Sequence, residues 1–216
     1  MPTLHAADLL ITGDGRSSVP QGAVLVDGRT VAAVGPYGEL AAAHPTARVR
    51  RWPGLLTPGL LNSYGPELLE QAYHPDPREA GELGSEPLTG EALAGLAMTE
   101  VRWGASARRG VQRLLAHGVV AVAGDLWRPP VKDAVYRAGL SVEQRFERPA
   151  GPVTLDPLAG RSLAEAILLP LPPDGVDGRD ATFAVFDVPD EAALGERGAG
   201  TCVATVLAGR LVYRRR

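Results

Sequence analysis

Residues Trp52 to Glu67, WPGLLTPGLLNSYGPE, constrain this chain more than any other stretch. Pro53, Gly54, Pro58 and Gly59 punctuate two short apolar runs, and the chain turns polar at Asn62 and Ser63. Gly relieves steric limits where a chain turns, while Pro fixes φ and cannot continue a hydrogen-bonded ladder. The pattern predicts a strand that leaves one sheet and enters another, with its carboxyl end open to solvent.

The two ends of the chain answer each other. Leu4 to Thr12 reads as a first strand, and Asp27-Gly28-Arg29 between AVLV and TVAAV reads as a tight hairpin. Pro36 opens a short helix over 37–43, closed near His44-Pro45, and a strand returns over 47–52. At the far end, ATFAVFD (181–187) reads as a strand, and 203–208 with 211–213 as a hairpin around Gly209-Arg210. Neither set is large enough for a covered sheet, and a lone hairpin is marginal in water. Pairing the ends solves both problems.

Between them the order of elements changes. Residues 63–87, rich in Pro, Gly and Glu without a period, are expected to form a long loop. Helical patterns follow over 89–102 and 104–117; in the second, Ala107, Val111, Leu114 and Leu115 make one apolar stripe. Then come a strand at 119–123, a helix from Pro129 to Ala138 capped by Gly139, and a strand at 140–146. With the junction strand this gives strand, helix, strand, helix, strand, the signature of parallel βαβ units. After Arg148 the pattern stops in loops, apart from a short helix at 162–167.

Three pieces in this order, the DGRTVAAVG hairpin, the PGLLNS junction and the closing GRDATFAVFD and TVLAGRLVY segments, resemble metal-dependent amidohydrolases. The resemblance is to the imidazolonepropionase and aminodeoxyfutalosine deaminase-like branch. It implies a mixed α/β fold, with a composite β-sandwich from residues 1–57 and 180–216. Residues 58–179 would then be a truncated TIM-barrel-like βαβαβ remnant, since an eight-stranded barrel takes about 250 residues. In that family a PGLxNxHxH motif supplies two metal-binding histidines. Here PGLLNS is intact, but Tyr64 and Pro66 hold the histidine positions. The departure implies a protein without the family metal, and no other cofactor is expected.

Candidate chemistry is therefore sought elsewhere at the strand carboxyl ends, where α/β folds bind ligands. Tyr64, Glu67 and Asp125 are the candidate catalytic residues, with His74, Asp76, Arg145 and Glu147 nearby in sequence; each is equally a solvated loop residue by type. The four histidines, His5, His44, His74 and His117, are not paired at ligand spacing. Arg102, Arg108, Arg109 and Arg113 could meet an anion or form a solvated helix face. The single cysteine, Cys202, lies in a strand-like run and reads as a buried thiol. A net charge of −3 gives no reason to expect nucleic acid, and no window suits a signal peptide or a membrane span, so a cytoplasmic protein is expected. Three functions remain open. They are a non-catalytic protein binding a partner or small molecule, a hydrolase or deaminase acting on C–N bonds of a cyclic amidine or nucleoside-like substrate, and a metal-free lyase or isomerase. A remnant with an exposed sheet edge is expected to form a homodimer.

Overall fold

The computed structural model describes residues 1–172 and 178–215; the loops expected after Arg148 fall partly outside them. The chain begins with β1 (Thr3–Ala6) and β2 (Leu9–Leu10). One strand over 4–12 was expected. It divides at Asp8, whose carboxylate accepts the Gly54 amide at 2.8 Å and so fixes a bend between two sheets. Next come β3 (Val19–Pro20) and the hairpin of β4 (Gly22–Asp27) with β5 (Thr30–Pro36). Helix α1 (Tyr37–Ala43) starts from Pro36 and is followed by β6 (Arg48–Arg51).

The junction behaves as its prolines and glycines suggest. β7 (Leu55–Pro58) and β8 (Leu60–Asn62) are consecutive but belong to different sheets. Gly59 lies between them because a Cβ there would stand 2.4 Å from a Val120 methyl. The expected long loop is partly helical. α2 (Gly65–Leu69) begins at Pro66, whose fixed φ suits a first turn that needs no amide donor. A 3₁₀ turn at Pro77–Glu79 leads into α3 (Ala80–Leu83), started by a capping box in which Asp76 and Glu79 each accept a backbone amide of the other's end.

After α4 (Gly90–Ala94), α5 (Glu100–Leu115) runs without a break through the expected boundary at Trp103-Gly104. Thr99 Oγ1 caps it by accepting the Arg102 amide at 3.2 Å. Gly104 is retained inside the helix because a Cβ would press on Pro130 at 3.2 Å. The layer continues with β9 (Val119–Ala123), α6 (Pro129–Ala138), β10 (Ser141–Glu143) and α7 (Leu163–Ala166). The chain closes with β11 (Phe183–Phe186), an unexpected α8 (Glu191–Arg197) capped by Asp190, β12 (Cys202–Leu207) and β13 (Arg210–Arg214).

The fold is mixed α/β with three sheets among the described residues. The first runs β5-β4-β1-β6. The second runs β13-β12-β11-β7-β2-β3 and joins the ends of the sequence, since β11 pairs antiparallel with β7, Phe183 opposite Pro58. One apolar cluster draws Val24, Val26 and Val31 from the first sheet and Leu56, Phe183, Val185 and Val206 from the second. His5 also faces both: its Nδ1 accepts the Trp52 indole N–H at 3.1 Å, and its ring meets Phe183 edge-on at 4.9 Å. Burial first, then the Arg50 charge, pushes its pKa down to about 4, so it is neutral.

The third sheet, β10-β9-β8, is parallel. Helices α5 and α6 are the crossovers, and Val111, Leu114, Val119, Val131 and Val135 share its core. The outer edge of β8 is covered by the chain itself. Ile167 bridges Leu60 and Leu168 N–H donates to Gly59 O at 3.0 Å; the segment then leaves β8, and Leu171 N–H donates to Thr12 O, just past β2, at 2.8 Å.

Candidate functional site

The carboxyl ends of β8, β9 and β10 are where this layer would hold a ligand. Asn62, the last residue of β8, is fully buried. Its amide N–H group donates to Thr154 O at 3.0 Å and Leu155 O at 3.2 Å, and its Oδ1 accepts the Tyr64 amide at 2.9 Å. The Tyr64 hydroxyl donates to Ala150 O at 2.9 Å. Arg161 donates to Ser63 Oγ at 3.2 Å and also to Glu165 O. The end of β8 is thus covered by residues 149–161, not open as its polar sequence suggested. An Asn-Ser-Tyr run satisfies a returning loop's carbonyls as readily as it meets water.

Glu67 follows on α2, with its side chain 6% exposed. Arg145, just past β10, grips it with two hydrogen bonds of 2.8 and 3.1 Å and also donates to Ser63 O at 2.8 Å. Arg148 stands 3.8 Å away and stays largely exposed. Burial pushes the Glu67 carboxyl up, but the Arg145 hydrogen bonds, its own backbone amide and the two guanidinium charges outweigh this and hold it below the usual value. A carboxylate held ionised by a bidentate guanidinium is a brace rather than a proton carrier.

The three candidate residues face three different cavities. Tyr64 lines one of about 310 Å³ with Asn62, Ser63 and Arg161. Glu67 lines one of about 680 Å³ with Gln71, Glu86, His117 and Arg148. Thr154 and Asp156 border both, so the 149–161 segment is the partition. Asp125 is exposed beyond β9 and lines a third, of about 640 Å³, beside β10. They do not converge on one reacting centre.

His74 and Asp76 secure a turn against α5. The His74 amide donates to Ser106 Oγ at 2.9 Å, and Arg109 donates to His74 O at 2.7 Å while pairing with Asp76 at 3.4 Å. His74 Nε2 donates to Leu68 O at 2.8 Å, and its buried Nδ1 has no protein partner. Burial, offset in part by the Leu68 hydrogen bond and reinforced by Arg113 and Arg109, pushes its pKa down to about 4. Of the arginine run, Arg108 is exposed and the other three are engaged by the chain itself. Arg102 pairs with Glu79 at 3.0 Å, Arg102 and Arg109 lie over the Tyr73 ring, and Arg113 donates to Ser85 O. Glu147 is exposed and His117 Nδ1 meets Arg113 O at 2.8 Å, within its own helix end. Cys202 is buried, with its thiol pushed up to about 11, mainly by burial.

Two participants escaped sequence reasoning. Glu70, 2% exposed, accepts the Trp127 and Arg128 amides at 2.9 and 2.7 Å and so fixes the turn that leads into α6 from 57 residues away; no local motif signals it. Arg161 was readable only as the residue before the Ser162–Glu165 capping box.

The metal that the amidohydrolase resemblance implies does not fit these donors. The Tyr64 hydroxyl is directed to Ala150 O, and Pro66 offers no ligating atom. Among the described residues no three His, Cys, Asp or Glu side chains gather as a ligand set. Also among them, no helix is long and apolar enough to cross a membrane.

Comparison with known proteins gives a match for residues 22–47 to the family described as the imidazolonepropionase-like composite domain, bacteria. No curated protein matches the chain. Among solved structures, A. niger ochratoxinase is similar at 21% identity and a TM-score of 0.46, over 66% of this chain and 31% of that one. An adenosine deaminase from Xanthomonas campestris with bound zinc gives 17% and 0.43, over 65% and 32%. Helicobacter pylori aminofutalosine deaminase gives 14% and 0.39, over 74% and 37%. This chain thus spans about a third of the length of each. The hairpin β4–β5 with α1 is the segment that carries the match, and over these residues the chain is similar to the imidazolonepropionase-like composite domain.

Proposed function

We propose that this chain is a cytoplasmic, non-catalytic, amidohydrolase-like protein that binds a small molecule. Its first two sheets are read as the composite sandwich of residues 1–57 and 180–216, and residues 58–179 as the barrel remnant carrying the ligand. The observation that carries the proposal is the state of the strand ends. Asn62, Ser63, Tyr64, Glu67, Arg145 and Arg161 are all hydrogen-bonded to one another or to the chain's own backbone. A general base or nucleophile must be free to exchange a proton with substrate, whereas the Tyr64 O–H is directed to Ala150 O and both Glu67 oxygens face the Arg145 guanidinium. The cavity of about 680 Å³ beside Glu67 is of a size that accepts small ligands, about 300–1,000 Å³. Arg148 gives it a mostly exposed guanidinium, suited to a ligand carboxylate or phosphate.

The test pairs an activity assay with a binding assay. Purified protein, with and without added zinc, is offered cyclic amidines and nucleosides, and small anions are screened by thermal shift. The expected result is no turnover above background and a stabilising anion whose effect disappears in Arg148→Ala. Turnover abolished by Tyr64→Phe or Glu67→Gln would overturn the non-catalytic reading and favour a hydrolase or lyase.

A further inference from the structure

The first sheet ends on a basic edge. β6 has β1 as its neighbour, and among the described residues nothing pairs with its other side. The Arg48 amide donates to Pro2 O at 3.0 Å and the Trp52 amide to Ala6 O at 2.9 Å, both towards β1. By the alternation of a parallel ladder, the N–H and C=O groups of Val49 and Arg51 point outwards. Arg50 stands opposite His5 in the register, so Arg50 and Arg48 share the face that carries His5. Val49, 42% exposed, and Arg51 take the other face, where Arg51 lies over the Tyr37 ring at 4.4 Å. From the second sheet, Arg214 at the end of β13 lies over the Trp52 ring at 5.9 Å, and the Trp52 indole reaches back to His5. Arg48, Arg50 and Arg214 thus gather on one side of the edge. Among the described residues none of these three, nor Arg51, forms an ion pair. Asp8, two residues past β1, directs its carboxylate to the Gly54 amide instead.

We propose that the β6 edge binds an extended acidic segment of a partner protein, which adds a strand to the first sheet and carries carboxylates at alternate positions. The outward backbone groups of Val49 and Arg51 supply the ladder bonds, as in other strand additions. Alternate residues of a strand fall on one face, so every second side chain of the partner comes to the side of Arg48, Arg50 and Arg214. Guanidinium and carboxylate then pair in charge-assisted hydrogen bonds. The residues between them meet Val49 and are apolar. Charge selects this occupant over the alternatives. Like charges directly opposite one another destabilise a ladder, so the arginines bar a second copy from pairing through its own β6 and favour a strand of opposite sign. A nucleic acid would satisfy the guanidinium groups but offers no alternating donors and acceptors to the outward backbone.

Fluorescence anisotropy on the full chain, with a short labelled peptide that alternates glutamate and valine, reads the outcome. A peptide of the same composition with its glutamates grouped at one end should bind at least about tenfold more weakly, since it cannot present its carboxylates on one face. Arg48→Glu should weaken the alternating peptide, and Arg48→Glu combined with Arg214→Glu should weaken it by at least about tenfold. Both positions are exposed, so the variants should keep the wild-type circular dichroism. A second measurement needs no variant: amide exchange at Val49 and Arg51 should slow in the wild-type complex, because strand addition hydrogen-bonds these two amides. No binding at millimolar peptide, or binding indifferent to the charge reversals, would overturn the proposal. So would binding that leaves the exchange of Val49 and Arg51 unchanged and is matched by a single-stranded oligonucleotide, which would make the edge a surface for polyanions.

Discussion

The two edges of the three-stranded layer receive opposite treatment. At β8 the chain supplies its own cover: Ile167 and Leu168 bond to the strand, Leu171 is buried between sheets, and residues 149–161 close over the carboxyl end. At β10 the strand is three residues long, all partly or fully exposed, with exposed aromatics beside it. Both edges present the same unpaired backbone groups, so the difference lies in what chain is available nearby. The segment after Arg148 returns to β8 because Asn62, Ser63 and Tyr64 give its carbonyls and Arg161 hydrogen-bonding partners there. No comparable set faces β10.

The largest expected effect tests whether the segment that passes over β8 is anchored in the core. Leu171 is 2% exposed and belongs to the cluster shared with Phe183 and Leu56. Leu171→Ala should lower unfolding free energy by about 2–5 kcal/mol in urea titration, whereas Val142→Ala in dilute protein should change it by less than about 0.5 kcal/mol. Equal losses at the two positions would erase the distinction between the edges.

Arg145 connects them. It leaves the end of β10 and braces Glu67 and Ser63 beyond β8, across the end of β9. Arg145→Ala leaves a buried carboxylate without its partner and should cost about 3–4 kcal/mol at neutral pH. The Glu67 carboxyl is held below its ordinary value in the folded state, so its contribution is present above that value and fades as pH falls through the folded pKa. The difference between wild type and Arg145→Ala should therefore shrink on acidification. A gap that is constant from neutral to acidic pH would show that packing, not charge, is what Arg145 supplies.

Most of this asymmetry was legible only in part. The alternation of short apolar runs with Gly and Pro marked the passage from β7 to β8, and Asp27-Gly28 marked the hairpin, because turn chemistry is local. The partners of Asn62 and Tyr64 lie about 90 residues downstream in a stretch with no period, so no pattern could announce that the strand end is covered. Pro66 and the Asp76–Glu79 capping box were visible, but a Pro- and Gly-rich composition outweighed them, and two short helices were read as loop. Glu70 could not be found at all, since its role depends on tertiary placement of α6. The site was correspondingly less readable than the fold: Tyr64, Glu67 and Asp125 share a strand-end location, yet loop 149–161 and α6 direct them into separate cavities.

A pH effect separates the self-covered side from the open one. His74 sits under α2 and α5 on the β8 side, fully buried, with a folded pKa of about 4 against 6.5 for the free group. The unfolded chain takes up the proton first, so stability is complete above about pH 6.5 and falls as pH drops towards 4; below that both states are protonated and the slope vanishes. The loss should be on the order of 3 kcal/mol. His5, shifted the same way, adds a similar slope in the first sheet. In His74→Gln, unfolding free energy measured between pH 7 and 4 should lose about half of its pH dependence. An unchanged slope would place the acid sensitivity away from the layer altogether.

The smallest effect concerns the seal itself. The Tyr64 hydroxyl makes one hydrogen bond, to Ala150 O, while its ring is buried with Leu68 and Val120. Tyr64→Phe keeps the ring and removes the donor, so the expected cost is about 1 kcal/mol, the net worth of a single neutral hydrogen bond. Its local consequence should be larger than its global one. With Ala150 O released, residues 149–153 lose the Tyr64 tie to the end of β8, while the Asn62 bonds to Thr154 and Leu155 just beyond them remain. Amide exchange should therefore quicken over 149–153 while the amides of β8 and β9 keep their protection. If exchange also quickens across β8, the loop and the strand open as one unit. The cover would then be part of the sheet's cooperative structure rather than a lid laid over a finished strand end.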